Sequence, residues 1–264
     1  MIIEFFGPPG SGKSTLAHSL AGRLRDRGWA ARVILCYQPR NKGDSWDRFG
    51  VISVITRISS AIFALCAAFL PSAYENNGVR LSNKLIRIIP PKQIIWRVRM
   101  WQYIVRLSLC WKQSQESTDV TIFDQGFVQA IGSLAMFNDT TDDRMIAQAL
   151  FFAPPADLVI RLVVPRDIVE ARLQARMRLE PAAERLFEVD VAGNMNAFDV
   201  FDKIGNVVQR GDQSILSVHA VDQESTAIDL RLVEEEILAQ LSRTGLHPAN
   251  QWQGGTQSTG KAVL

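Results

Sequence analysis

The chain has 264 residues, 47% hydrophobic and 21% charged, with a formal net charge of +2. That is ordinary globular composition, enough for one large core, and it excludes a protein that holds nucleic acid through bulk positive charge, so no nucleic-acid partner is expected. Cys36, Cys66 and Cys110 are scattered, and His18, His219 and His247 show no ligand spacing; both patterns exclude a disulfide frame or a protein-built metal cage and read as a cytoplasmic protein with reduced thiols.

Residues 2–6 (IIEFF) form an apolar run of strand length, interrupted only by Glu4. A glycine-rich turn follows at once, which does not read as a secretory leader. The turn is GPPGSGKS, residues 7–14, and fits G-x-x-x-x-G-K-[ST] with Gly7, Gly12, Lys13 and Ser14 in the fixed places. Residues 15–27 then read as a helix, with Leu16, Leu20 and Leu24 at i, i+4 spacing and Gly28 as its C-terminal stop. Strand, turn and helix are what phosphate binding needs: backbone N–H groups converge on phosphate oxygens, and the helix N-terminus adds partial positive charge. Gly7, Gly10 and Gly12 are expected at positive φ, where the backbone can approach a ligand. Lys13 is expected at the β- and γ-phosphates and Ser14 on Mg²⁺, with Gly7, Pro8, Pro9, Gly10, Ser11, Gly12, Lys13, Ser14 and Thr15 forming the nucleotide site.

Residues 31–37 (ARVILCY) read as a second strand. After it, Asn41-Lys42-Gly43-Asp44 matches the guanine-reading N-K-x-D pattern, but it lies in a loop ahead of the third strand and is read as chance. Residues 45–118 form an insertion. Residues 51–70 are strongly apolar, yet Arg57 interrupts them and Pro71 ends them, so a buried or interfacial helix is expected in preference to a membrane span. From Asn76 to Gln115 there is no acid, and Lys92, Arg99 and Arg106, spaced by seven, are expected on one helix face. Three readings of this basic, tryptophan-rich stretch stand open: a pocket wall for an anionic acceptor, a helix lying on an anionic membrane through residues 51–112, or a solvated face over the apolar stripe Trp96, Met100, Ile104, Leu107 and Trp111.

Residues 120–124 (VTIFD) read as a third strand ending in an aspartate. Asp124 at the carboxyl end of that strand is suited to hold Mg²⁺ or to take the proton of an attacking hydroxyl. Gln125 and Gln129 share a helix face, as acceptor contacts or as solvated polar residues. Residues 157–164 form a fourth strand in which Arg161 requires a partner. The segment at 165–181 then reads as a helix with Arg172 and Arg176 at i, i+4 and Arg178 nearby. It is either a solvated basic face or a lid whose guanidiniums close over transferring phosphoryl oxygens. Residues 214–220 form a fifth strand. Alternating strands and helices predict an α/β fold with a parallel sheet covered on both faces, and a cleft at the carboxyl ends of the strands. Residues 1–243 read as one domain and 244–264 as a polar tail.

The phosphate loop, the Y-Q-P-R of residues 37–40, the D-Q-G of residues 124–126 and the V-P-R-D-I-V-E-A-R-L-Q-A-R from Val164 to Arg176 together resemble P-loop kinases of the nucleoside monophosphate kinase type, most closely thymidylate-kinase-like proteins. The resemblance implies a P-loop NTPase three-layer fold with a five-stranded parallel sheet and a helical insertion between strands two and three. It also implies ATP–Mg²⁺ as donor, a closing lid, and adenine near residues 221–225. Gln125 stands where the family carries arginine, and Gln38 where it carries a carboxylate, so the acceptor half departs from the pattern. The expected activity is transfer of the γ-phosphoryl group to a nucleotide, nucleoside or other small hydroxyl acceptor. Lys13, Asp124, Arg172, Arg176 and Arg178 are its candidate catalytic residues, Ser14 and Asp124 its metal ligands, and Arg40, Gln125 and Gln129 its acceptor contacts. The alternative is a nucleotide-dependent ATPase switch, docked at a membrane and acting through the basic insertion. A homodimer is open.

Overall fold

A computed structural model describes residues 1–35, 77–179, 191–211 and 213–243, with only the backbone of 176–179, 191–196 and 223. Five short apolar runs form strands: β1 (Ile2–Phe6), β2 (Ala31–Ile34), β3 (Val120–Phe123), β4 (Leu158–Val163) and β5 (Ile215–His219). They make one sheet in the order β2-β3-β1-β4-β5, and every pairing is parallel. Strands buried on both faces are near-continuous apolar runs, which is how β1 and β3 read in the sequence. Eight helices are described: α1 (Lys13–Asp26), α2 (Asn77–Ile88), α3 (Ile94–Gln115), α4 (Phe127–Asn138), α5 (Asp143–Phe152), α6 (Arg166–Leu179), α7 (Val191–Gln209) and α8 (Gln223–Arg243).

The two faces of β1 seed two cores. Ile3 and Phe5 pack with Leu16, Leu20 and Leu24 of α1 and with Val233 and Ile237 of α8. Ile2 and Phe6 point the other way and pack with Ile104 and Trp111 of α3, Ile131 of α4 and Phe201 of α7. The result is three layers, with α2 and α3 as the helical insertion between β2 and β3. Helix α1 ends as the sequence predicts. Gly28 has φ +84°, its N–H reaches the Arg25 carbonyl at 2.8 Å, and the Trp29 N–H reaches Leu24 at 3.0 Å, a pairing that closes the last turn. Buried Glu234 of α8 pairs with Arg23 and Arg27 and ties α8 to α1.

One expectation changes. Lys92 does not share a helix face with Arg99 and Arg106: it precedes α3 and pairs with Asp139 at 3.0 Å. A seven-residue spacing fixes a face only inside one helix, and α3 begins at Ile94. The stripe Met100, Ile104, Leu107 and Trp111 is core, with Trp111 against Phe123 and Phe127. Arg161 finds its partner in Asp202 of α7 at 2.7 Å. The close approach is allowed by Gly205, where an added Cβ would sit 2.6 Å from the guanidinium. Among the described residues no helix is long and apolar enough to cross a membrane. The apolar run 51–70, Arg40, the N-K-G-D stretch and the tail at 244–264 lie outside the described residues.

Candidate functional site

Parallel sheets present ligands at the carboxyl ends of their strands. Here the two central neighbours, β1 and β3, end side by side, so the phosphate loop and Asp124 meet although 110 residues separate Ser14 from Asp124. Gly7, Gly10 and Gly12 have φ of +151°, +78° and +94°. A side chain at Gly7 would meet the Leu162 carbonyl at 2.9 Å, so the loop needs glycine there both for its turn and for its contact with β4. The loop delivers the chain into α1, whose cap residue Gly12 offers no side chain. The first amides of α1 therefore point outward without an intrahelical acceptor, as an anion site requires.

Lys13 is 7% exposed. Its ammonium donates to the carbonyls of Gly7 at 2.8 Å and Pro8 at 2.9 Å, with the Ser11 hydroxyl at 3.4 Å. Burial pushes its pKa down to about 8, against the opposing pull of the Asp124 charge. A buried cation whose hydrogen bonds go to neutral oxygens is a strong attractor for phosphate oxygens. The Ser14 hydroxyl donates to Asp124 Oδ2 at 2.7 Å, and Asp124 is 2% exposed. Adjacent oxygen ligands of an octahedral Mg²⁺ at ~2.0–2.1 Å stand about 2.9 Å apart, so this hydroxyl–carboxylate pair fits the cation. Among the described residues no group of three or more His, Cys, Asp or Glu could hold a metal; one or two protein oxygens plus phosphates is the usual Mg²⁺ arrangement at a nucleotide.

Helix α6 lies on the loop. Leu173 and Val169 pack so closely on Gly10 that an added Cβ would be 3.1 Å from Leu173 Cγ. From the same helix Arg172 extends one guanidinium nitrogen to 3.5 Å from the Ser11 carbonyl. Arg176 and Arg178 belong to α6, but their side chains lie outside the described residues.

One cavity of about 990 Å³ joins these parts. Its floor is Pro9 to Thr15, with Arg172 above. One end is lined by Ala220, Val221 and Asp222 after β5 and by Thr226 of α8. Asp222 caps α8 through the Ser225 N–H at 2.8 Å, which lowers its pKa. The other end is built by Trp96 of α3 and by Gln129, Ser133, Met136 and Phe137 of α4, with Gln125 beside them. The Trp96 and Phe137 rings stack at 4.0 Å and 12°, and Arg99 lies over the Trp96 ring at 4.8 Å.

Of the residues singled out from the sequence, Pro9 to Thr15, Gln125, Gln129 and Arg172 line this cavity, and Asp124 joins it through Ser14. Gln129 also has a second role besides lining the cavity. It is 5% exposed, and its Oε1 accepts the Gly7 N–H at 3.0 Å, so its carbonyl serves the phosphate loop. Trp96, for which the sequence left a pocket wall, a membrane face and a core stripe open, lines the cavity; Ser133, Met136 and Phe137 carry no sequence signal at all, because a wall assembled from two helices has no fixed spacing.

No protein-family model matches the chain, and no curated protein matches it. Among solved structures, a thymidylate kinase from Ehrlichia chaffeensis is similar over 91% of this chain and 98% of its own, at 15% identity and a TM-score of 0.45. A likeness of that degree bears on the course of the chain alone.

Proposed function

We propose that the chain is an ATP-dependent phosphotransferase that moves the γ-phosphoryl group to a small hydroxyl acceptor. The observation that carries this reading is the 2.7 Å contact between Ser14 and Asp124 beside the buried ammonium of Lys13. A hydroxyl, a carboxylate and a cation at the mouth of a helix N-terminus suit a nucleoside triphosphate with its metal. In this reading ATP lies with its phosphates over Pro9 to Thr15 and its base toward Val221 and Thr226, residues that line the cavity.

Ser14 and Asp124 would hold Mg²⁺, which would supply neutralisation of the triphosphate charge. Lys13 exchanges its loop carbonyls for phosphate oxygens. Arg172 hangs over the same loop and meets the charge that spreads on the equatorial oxygens during transfer. The acceptor hydroxyl bonds to the γ-phosphorus as the bond to the bridging oxygen breaks; ADP keeps that oxygen, and the hydroxyl proton leaves to Asp124 or to solvent. Trp96, Phe137 and Met136 give the acceptor a flat apolar wall, and Gln125 and Ser133 give it neutral hydrogen-bonding groups. Positioning and charge neutralisation supply most of the rate.

The test is mass spectrometry of a metabolite and nucleoside panel incubated with the protein, ATP and Mg²⁺. A product heavier by one phosphoryl group, absent with Lys13→Ala, supports the reading and names the acceptor. Phosphotransfer unchanged in Lys13→Ala would overturn it, and ADP with free phosphate but no phosphorylated product across the panel would favour a switch.

A further inference from the structure

Glu4 is the least expected side chain in the molecule. It sits in the middle of the central strand, is 0% exposed, and faces α4 instead of solvent. Its Oε2 accepts the Val128 N–H at 3.0 Å, and the neighbouring Phe127 N–H adds to the pull that favours its charged form. Its Oε1 meets no hydrogen-bond partner. Helix α4 has no side-chain cap of its own, because Gly126 stands at the cap position. The glycine is required there: a Cβ on residue 126 would lie 1.9 Å from Glu4 Oε2 and 2.7 Å from Glu4 Cβ. The strand and the turn are therefore in direct contact, with the carboxyl group supplying the acceptors that the helix start lacks.

Three residues further along the chain the contact is returned. Gly7, where β1 becomes the phosphate loop, donates its N–H to Gln129 Oε1. Segment 4–7 is thus tied at both its ends to residues 128 and 129, and Asp124 and Gln125 lie in the short span between the end of β3 and this lacing.

We propose that Glu4 is a positioning residue for phosphoryl transfer, gripping the first amides of α4 so that Asp124 is held in register with Ser14 and the phosphate loop, with Gln129 as the second point of the grip. This rests on the phosphotransferase reading. A misplacement of ~1 Å at such a site costs about 10²-fold in rate, and a strand in the centre of a sheet is the stiffest support the fold offers. Burial pushes the Glu4 carboxyl up to about 8, so near neutral pH the grip is exerted mainly by the uncharged acid, and glutamine is its nearest substitute.

The experiment compares Glu4→Ala, Glu4→Gln and wild type for kcat, acceptor KM, nucleotide affinity and the Mg²⁺ concentration giving half-maximal nucleotide binding. Glu4→Ala is expected to lower kcat about 10- to 100-fold, to raise the Mg²⁺ requirement, and to leave metal-free nucleotide affinity unchanged. Glu4→Gln is expected to restore most of the rate. Where Glu4→Ala does not fold, Glu4→Asp, which keeps the carboxyl but withdraws it by one methylene, takes its place with the same expectation. Wild-type kcat and Mg²⁺ dependence in these variants, or a Glu4→Gln protein as slow as Glu4→Ala, would overturn the proposal. So would nucleotide affinity falling in step with kcat, which marks a general structural role. Wild-type protein that binds Mg²⁺–nucleotide but phosphorylates no acceptor speaks against the phosphotransferase reading instead; the Mg²⁺ requirement for nucleotide binding then still judges Glu4.

Discussion

The two ends of the cavity are built on opposite principles. At the glycine-rich end, where the donor is proposed to sit, eight consecutive residues set the geometry, because backbone amides and a helix start do the work and their positions follow from local conformation. At the other end, proposed for the acceptor, Trp96, Ser133, Met136 and Phe137 come from two helices whose side chains matter and whose spacing does not. A site made of backbone is written in a contiguous motif; a site made of side chains is written only in the packing of the whole fold.

Breaking the donor end has the largest expected effect. Lys13→Ala removes the one buried cation of the loop and is expected to lower kcat by about 10²–10³-fold or more, measured in the phosphotransfer assay with the acceptor found by mass spectrometry. Trp96→Ala separates the two ends. It is expected to raise the acceptor KM about tenfold, the scale of one lost aromatic contact, while the KM for ATP stays unchanged. An equal change in both constants would erase the distinction between the ends.

Titration sharpens the comparison, since the donor end contains a buried group poised to respond to pH. Lys13 has its pKa lowered to about 8, so the loop is cationic below that pH and loses its charge above it. Phosphate favours the protonated amine. Nucleotide affinity is therefore expected to be flat below pH 8 and to fall by at most about tenfold per pH unit above it, with proton uptake visible by calorimetry in buffers of different ionisation enthalpy. The smallest effect concerns stability. Glu4 is raised from 4.5 to about 8, so between those values the folded protein keeps a proton that the unfolded chain releases. Its contribution is whole below pH 4.5 and is lost as pH rises through 8. Glu4→Gln has no such dependence, and its Tm relative to wild type is expected to rise by about several °C across that window, measured by thermal melts at a series of pH values.

The sheet was legible in the sequence because buried parallel strands leave short apolar runs: all five lie within a few residues of their expected places. The meeting of Ser14 with Asp124 was legible too, since each ends or follows a recognisable strand. Other features depended on distant partners. Glu4 shows in the sequence only as a break in an apolar run, and the amides it serves lie more than 120 residues away. Gln129 was visible as a polar face of a helix, but nothing local says that Gly7 needs its oxygen. Arg161 announced a missing partner, which turned out to be Asp202, on a helix that packs beside the strand. Lys92 was misplaced because its spacing was counted across the boundary of α3.

The strand order also governs how the chain must be made. Among the described residues β1 pairs with β3 and β4, and β2 with β3 alone. During synthesis, then, no two of the described strands can join until residue 120 has left the ribosome, nearly half of the chain. Until that moment the phosphate loop hangs from a strand without neighbours, and the apolar side chains of the first 35 residues have no sheet to enter. A fold whose first strand is its centre matures late and as a unit, so the cavity around the glycine-rich loop cannot form on a nascent fragment that lacks β3.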